Sequence, residues 1–154
     1  MNQPEATPAI KTYINAAREA VMSFKYGDVI DKQWLIDRSL LIEPLRGTKK
    51  DFESFSFDFM DFIESFKSEM LVNNKMYLVA VRGKGYRIVM PNQQSDEAMN
   101  NLRNVVTSET NKAMRAITNI NDALINHDDA KKRDSHIGNV AALRAFSKSK
   151  QLAY

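Results

Sequence analysis

The sequence predicts an α+β fold: a small domain of three helices closed by a β-hairpin, followed by a helical extension. Three observations predict it. The phenylalanines of "DFESFSFDFMDFIESF" recur at helical spacing. "YLVAVRGKGYRIVM" (77–90) reads as two short strands around a glycine-punctuated turn. Beyond "PNQQ" (91–94) apolar residues again recur every three or four positions. Pro91 cannot continue a strand ladder and a polar run follows it, so the boundary falls there, giving a domain at 8–91 and an extension at 92–154.

Between Pro8 and about Phe24, the residues Ile10, Ile14, Ala17, Val21 and Phe24 stand three or four apart and define one helical face. In "YGDVIDKQWLIDRSLL" a glycine turn leads to Asp31, whose carboxylate suits an N-cap. Trp34, Leu35 and Leu40 or Leu41 then face inward from a second helix. "IEPLRGTKK" (42–50) combines Pro, Gly and polar or basic residues and reads as a loop. In the third helix, at 100° per residue, Phe52, Phe55, Phe59, Phe62, Ile63, Phe66 and Met70 gather on one face, which reads as core. The opposite face is expected to hold Ser54, Asp58, Asp61, Glu64, Ser65 and Ser68, with Phe57 apart among them.

In the extension, Ser95 reads as an N-cap and Asp96 and Glu97 suit the positive end of a helix dipole, so a long helix is expected at about 95–126. Met99, Leu102, Val106, Ala113, Ala116, Ile120 and Ala123 form its seam, interrupted by Glu109. "NHDDAKKRD" reads as a connection to a shorter helix at about 134–148 carrying Ile137, Val140, Leu143 and Phe146. The seam closes either within the chain as a helical hairpin or between two copies, and residues 95–126 are the expected homodimer interface. The end, "KSKQLAY", is expected to be mobile.

Composition narrows the chemistry. The chain has 154 residues, 44% apolar and 27% charged, enough for a small core plus an extension. No run approaches the roughly 18 apolar residues of a membrane span, and "MNQPEATPAI" lacks the basic start and apolar stretch of a secretion signal, so a cytoplasmic protein without membrane contact is expected. With no cysteine there is no disulfide, thiolate or cysteine-ligated metal, and His127 and His136 supply the only imidazoles. The net charge of +3 is unevenly spread: residues 51–100 carry five basic and eight acidic groups, residues 101–154 nine and five.

The order helix, helix, loop, amphipathic helix, hairpin is the layout of a winged helix. Within it, Val81, Arg82, Gly83, Lys84, Gly85, Tyr86 and Arg87 spell the phrase valine-arginine-glycine-x-glycine-tyrosine-arginine. On that phrase, on "GDVIDKQWLI" and on "FIESFKSEML", residues 10–90 resemble the C-terminal effector domain of OmpR/PhoB-type response regulators, with the receiver domain absent. The resemblance implies that the phrase is the wing and that residues up to about Met70 form the recognition helix. That helix departs from the class: where arginine and lysine are usual near its end, this chain has Ser65, Lys67, Ser68 and Glu69. Asp58, Asp61 and Glu64 would also meet the phosphates of a major groove unfavourably.

Arg82, Lys84 and Arg87 in the hairpin, with Arg46, Lys49 and Lys50 before the third helix, are therefore the candidate DNA contacts; the plainer reading is solvated turn and loop residues. Asp58, Asp61 and Glu64 are candidate contacts for a basic partner protein. Spaced three apart on one helix, with no converging second element, they read as a solvated or partner-binding face rather than a metal site. "KKRD" (131–134) reads as a solvated connection or a minor nucleic-acid patch, and neither histidine has a carboxylate partner in view. "VRGKGYR" lacks the spacing and the following helix of a phosphate-binding loop, and no ordered nucleophile motif is present. No cofactor, metal or enzymatic activity is expected. Two functions follow: a small DNA-binding regulator of the kind phages or other mobile elements encode, with the hairpin on phosphate backbone, or a protein-binding module or inhibitor whose acidic face meets a basic partner such as a nucleic-acid enzyme.

Overall fold

The computed structural model describes residues 9–149, so the expected helix start at Pro8 and most of the expected mobile end lie outside the described residues. The elements run α1 (Ala9–Ser23), β1 (Val29–Asp31), α2 (Lys32–Ser39), α3 (Lys49–Val72), β2 (Leu78–Val81), β3 (Gly85–Ile88), α4 (Gln94–Thr118) and α5 (His127–Lys148), with single 3₁₀ turns at Pro91–Gln93 and Asp122–Leu124. The chain divides into two units at Gln94 and Ser95. The first mixes helices with a three-stranded antiparallel sheet, and the second is helical.

In the first unit the strands lie in the order β1-β3-β2. The hairpin β2–β3 is where the sequence puts it. The third strand, β1, is not foreseen from the sequence: it pairs Val29 with Arg87, Ile30 with Tyr86 and Asp31 with Gly85. Asp31 then ends the strand and caps α2, its carboxylate accepting from the Gln33 N–H at 3.4 Å. Helix α2 stops at Ser39, because Leu40 turns into the left-handed region (φ 59°). That turn corrects the expectation for Leu40, which points to solvent, while Ile36 is buried beside Leu35.

Helix α3 begins earlier than expected, so Lys49 and Lys50 are helical rather than loop residues. "TKKD" explains the start. The Thr48 hydroxyl accepts from the Asp51 N–H, and the Asp51 carboxylate accepts from the Thr48 N–H at 2.7 Å, a reciprocal capping box. The backbone hydrogen bond from Thr48, then the one from its hydroxyl, hold the Asp51 carboxyl below its ordinary pKa.

The core forms where the C-terminal half of α3 meets the sheet and α1. Phe62, Ile63, Phe66 and Met70 are buried with Ile30, Leu35, Leu78 and Ile88, and Ala16, Ala17 and Ala20 let α1 approach closely. The burial of Ala16 and Ala20 turns the packed face of α1 from the expected one, leaving Val21 at the surface. The rings of Phe55, Phe59, Phe62 and Phe66 stack as a ladder with centroids 5.9, 6.2 and 6.1 Å apart. Trp34 and Phe24 close its inner end at 6.5 and 5.3 Å. Here the expectation of a wholly buried stripe fails: Phe52 is 43% exposed and Phe55 and Phe59 are half-buried, since the N-terminal half of α3 outruns the core. An ion pair joins α1 to α2, the Arg38 guanidinium holding Glu19 at 2.6 Å while lying 4.7 Å from the Trp34 ring. The Arg38 hydrogen bond lowers the Glu19 pKa, so the contribution of this pair is present above the usual glutamate range and lost as pH falls through the lowered value.

The expected long helix already includes Gln94, so Ser95 lies inside it rather than capping it; the helix ends at Thr118 instead of about 126, and α5 starts at His127 instead of about 134. Side chains compete for the backbone at the break. Thr118 and Asn119 donate to the carbonyls of Met114 and Arg115, and Asn121 accepts from the Ala123 N–H at 3.1 Å. Asn126 then caps α5 by accepting from the Asp129 N–H at 2.8 Å, with Asp128 and Asp129 in the first turn, so "KKRD" is helical rather than a connection, His136 lies inside the helix and His127 opens it. Helices α4 and α5 run antiparallel, joined by Thr107 to Ser147 at 3.4 Å near one end and by an Asp122–Arg133 ion pair near the other.

Candidate nucleic-acid interface

The hairpin turn is short because Gly83 adopts φ 75° and the Lys84 N–H returns to the Val81 carbonyl at 3.0 Å. Its second glycine does something different. Gly85 sits at φ 151° against β1, where a Cβ would lie 2.0 Å from the Ile30 carbonyl oxygen. The Lys84 carbonyl accepts from the Lys32 N–H at 2.9 Å, tying the turn to the start of α2. Arg82 and Lys84 are thus presented, exposed, on a turn fixed from both sides, and among the described residues neither makes an ion pair.

Arg87 is not at the tip as the sequence suggested. It lies in β3, about 10 Å back along the strand, half-buried in a cross-strand row with Val29 and Val79. It has interactions of its own. The remaining basic candidates form a second, separate group: Arg46 is exposed in the loop, and Lys49 and Lys50 open α3, with Lys49 3.5 Å from Glu53. Lys67, which faces the Tyr86 ring of β3 at 5.9 Å, is about 27 Å further along the helix axis from Lys49. The six basic candidates are therefore two patches rather than one.

The acidic candidates also separate. Asp58 stands only about 40° from Phe62 around α3 and so borders the aromatic stripe, whereas Asp61, about 100° from Phe62, stays on the opposite face as expected. Asp58 and Asp61 line a cavity of about 440 Å³ with Tyr13, Leu41 and Phe62. Glu64 also lies opposite the stripe and is paired with Lys67 at 3.0 Å. Sequence reasoning missed Tyr13 and Leu41 because this cavity joins α1, the loop and α3; the only advance signal was an unassigned leucine pair at 40–41. His127 and His136 are exposed on α5, and among the described residues no cluster of three acidic or histidine side chains could hold a metal ion. Among those residues no helix is long and apolar enough to cross a membrane.

Comparison with known proteins finds no matching family model, no matching curated protein and no matching solved structure.

Proposed function

We propose that the chain is a small, non-enzymatic DNA-binding regulator of the winged-helix type, whose β2–β3 turn is the wing and lies on phosphate backbone. The order α1-β1-α2-α3-β2-β3 with the sheet order β1-β3-β2 supports the winged-helix reading. The observation that carries the DNA reading is the exposed, unpaired Arg82 and Lys84 on a turn fixed by Gly83 and by the Lys84–Lys32 backbone bond. Two cations held forward in this way suit phosphates, whereas α3, edged by Asp58 and Asp61, does not suit a major groove. At about 50 mM salt the full chain is expected to bind duplex DNA without strong sequence preference, as read by fluorescence anisotropy. The double variant Arg82→Ala/Lys84→Ala should weaken that binding at least about tenfold, and equal binding would count against the wing.

Two copies joined through α4 and α5 supply the second wing that such weak contacts need. Among the described residues of this unit no hydrophobic side chain is buried; the buried ones are Thr110 and Ser147. The Nε atoms of Arg103 and Arg144 are buried without a hydrogen-bond partner among the described residues. Leu102 and Phe146 line one cleft, and helical geometry places exposed Val105 and Leu143 on the same side of the antiparallel pair. A second hairpin covering that side makes a four-helix bundle. In sedimentation the chain should be a dimer and Leu143→Ser/Phe146→Ser a monomer, with circular dichroism showing the helices retained because both side chains are more than half exposed. A monomeric parent chain, or a dimeric variant, would refute the pairing.

A further inference from the structure

The first unit carries a second recognition surface, away from the wing. The cavity edged by Asp58 and Asp61 continues along α3 into another of about 470 Å³, the two sharing Leu41 and Asp58. Together they make a groove running from Asp51 to Ser65, about 21 Å or four helical turns. Tyr13 of α1 forms one wall at one end, Leu41 and Ile42 of the loop extend it, and Phe55 and Phe62 form the floor. The lining contains no lysine or arginine. Among the described residues Asp58 and Asp61 make no ion pair, so two free carboxylates edge a trough in which Tyr13, Leu41, Phe55 and Phe62 alternate with Ser39, Ser54 and Ser65. Nearby Ile42 and Leu45 are 89% and 98% exposed, an unusual outlay of apolar surface for one loop.

We infer that this groove is a docking site for a basic amphipathic helix of a partner protein. Charge complementarity selects the occupant: carboxylates on the rim repel nucleic acid and attract lysine or arginine, while the aromatic floor takes apolar side chains spaced i, i+3/i+4 and i+7. The length of the groove matches about 14 residues of helix. The site is independent of the wing, so a regulator bound to DNA by its hairpin presents the groove to a second protein.

The probe is a 15-residue helical peptide of leucine and lysine, compared with its leucine and glutamate counterpart, titrated calorimetrically into the full chain. The lysine peptide is expected to bind at one site per chain. Asp58→Asn/Asp61→Asn should weaken it about tenfold or more, equivalent to about 1.4 kcal/mol. Leu41→Ser should weaken it as well, Arg82→Ala/Lys84→Ala should leave it unchanged, and the glutamate peptide should not bind. Absence of binding, equal binding of both peptides, or binding indifferent to the aspartates would overturn the inference. So would loss of self-association in the aspartate variant without peptide, which would assign the groove to a second copy. Loss of DNA binding in the wing variant with peptide binding intact separates this site from the DNA reading.

Discussion

Phe66→Ala should cost the first unit about 3–5 kcal/mol, the largest loss expected from any single truncation in the aromatic ladder. Phe66 is fully buried, stacks on Phe62 at 6.1 Å and meets Trp34 at 6.5 Å, so its removal leaves a cavity at the junction of α2, α3 and the sheet. Trp34 is the only tryptophan of the chain and belongs to this unit, so its fluorescence during denaturant unfolding reports the unit directly. Phe52→Ala, at the exposed end of the same stripe, should cost under about 1 kcal/mol. Equal costs at the two positions would mean that the stripe is buried along its whole length, contrary to the packing described here.

Gly85→Ala should be the most damaging change in the hairpin. A methyl group there would stand 2.0 Å from the Ile30 carbonyl oxygen and 2.9 Å from the Lys32 nitrogen, both backbone atoms, at a φ that L residues rarely adopt. The strand pair β1–β3 must open or shift, at a cost of at least about 2–3 kcal/mol. Hydrogen exchange should show it as lost protection at the Lys32 and Ile88 amides, which bond to Lys84 and Asp28. Gly83→Ala meets no neighbouring atom and carries only the left-handed backbone penalty, about 1–2 kcal/mol. If the two glycine variants proved equally stable, the close approach of β1 to β3 would be refuted.

These two glycines show how far the sequence could be read. The spacing around Gly83 and Gly85 announces a turn between strands, because turn chemistry is local, and the phenylalanine period announces a helix for the same reason. That Gly85 is required by a third strand is not local. Strand β1 spans three residues, too few for an alternating pattern, and its partner lies more than 50 positions away in the chain. The aromatic stripe gives the face of α3 but not the point at which the helix leaves the core, which depends on the reach of α1 and the sheet. The break after Thr118 rests on Thr118, Asn119 and Asn121 bonding to nearby backbone, a competition that the apolar seam conceals. For the candidate site, the tip residues Arg82 and Lys84 were legible from the turn. The groove was not, since Tyr13, Leu41 and Asp58 are brought together only by packing.

The opposition between a basic turn and an acid-edged helix is the center of this account, and the salt dependence of DNA binding tests it most directly. Log affinity against log salt concentration should fall linearly for the parent chain, and Arg82→Ala/Lys84→Ala should flatten the slope by about 1.8, or about 0.9 for each of two phosphate contacts. Asp58→Asn/Asp61→Asn should keep the parent slope and bind as tightly or more tightly, because those carboxylates only repel phosphate. An unchanged slope in the hairpin variant, or no DNA binding by the parent chain at about 50 mM salt, would contradict the assignment of the hairpin to phosphate backbone.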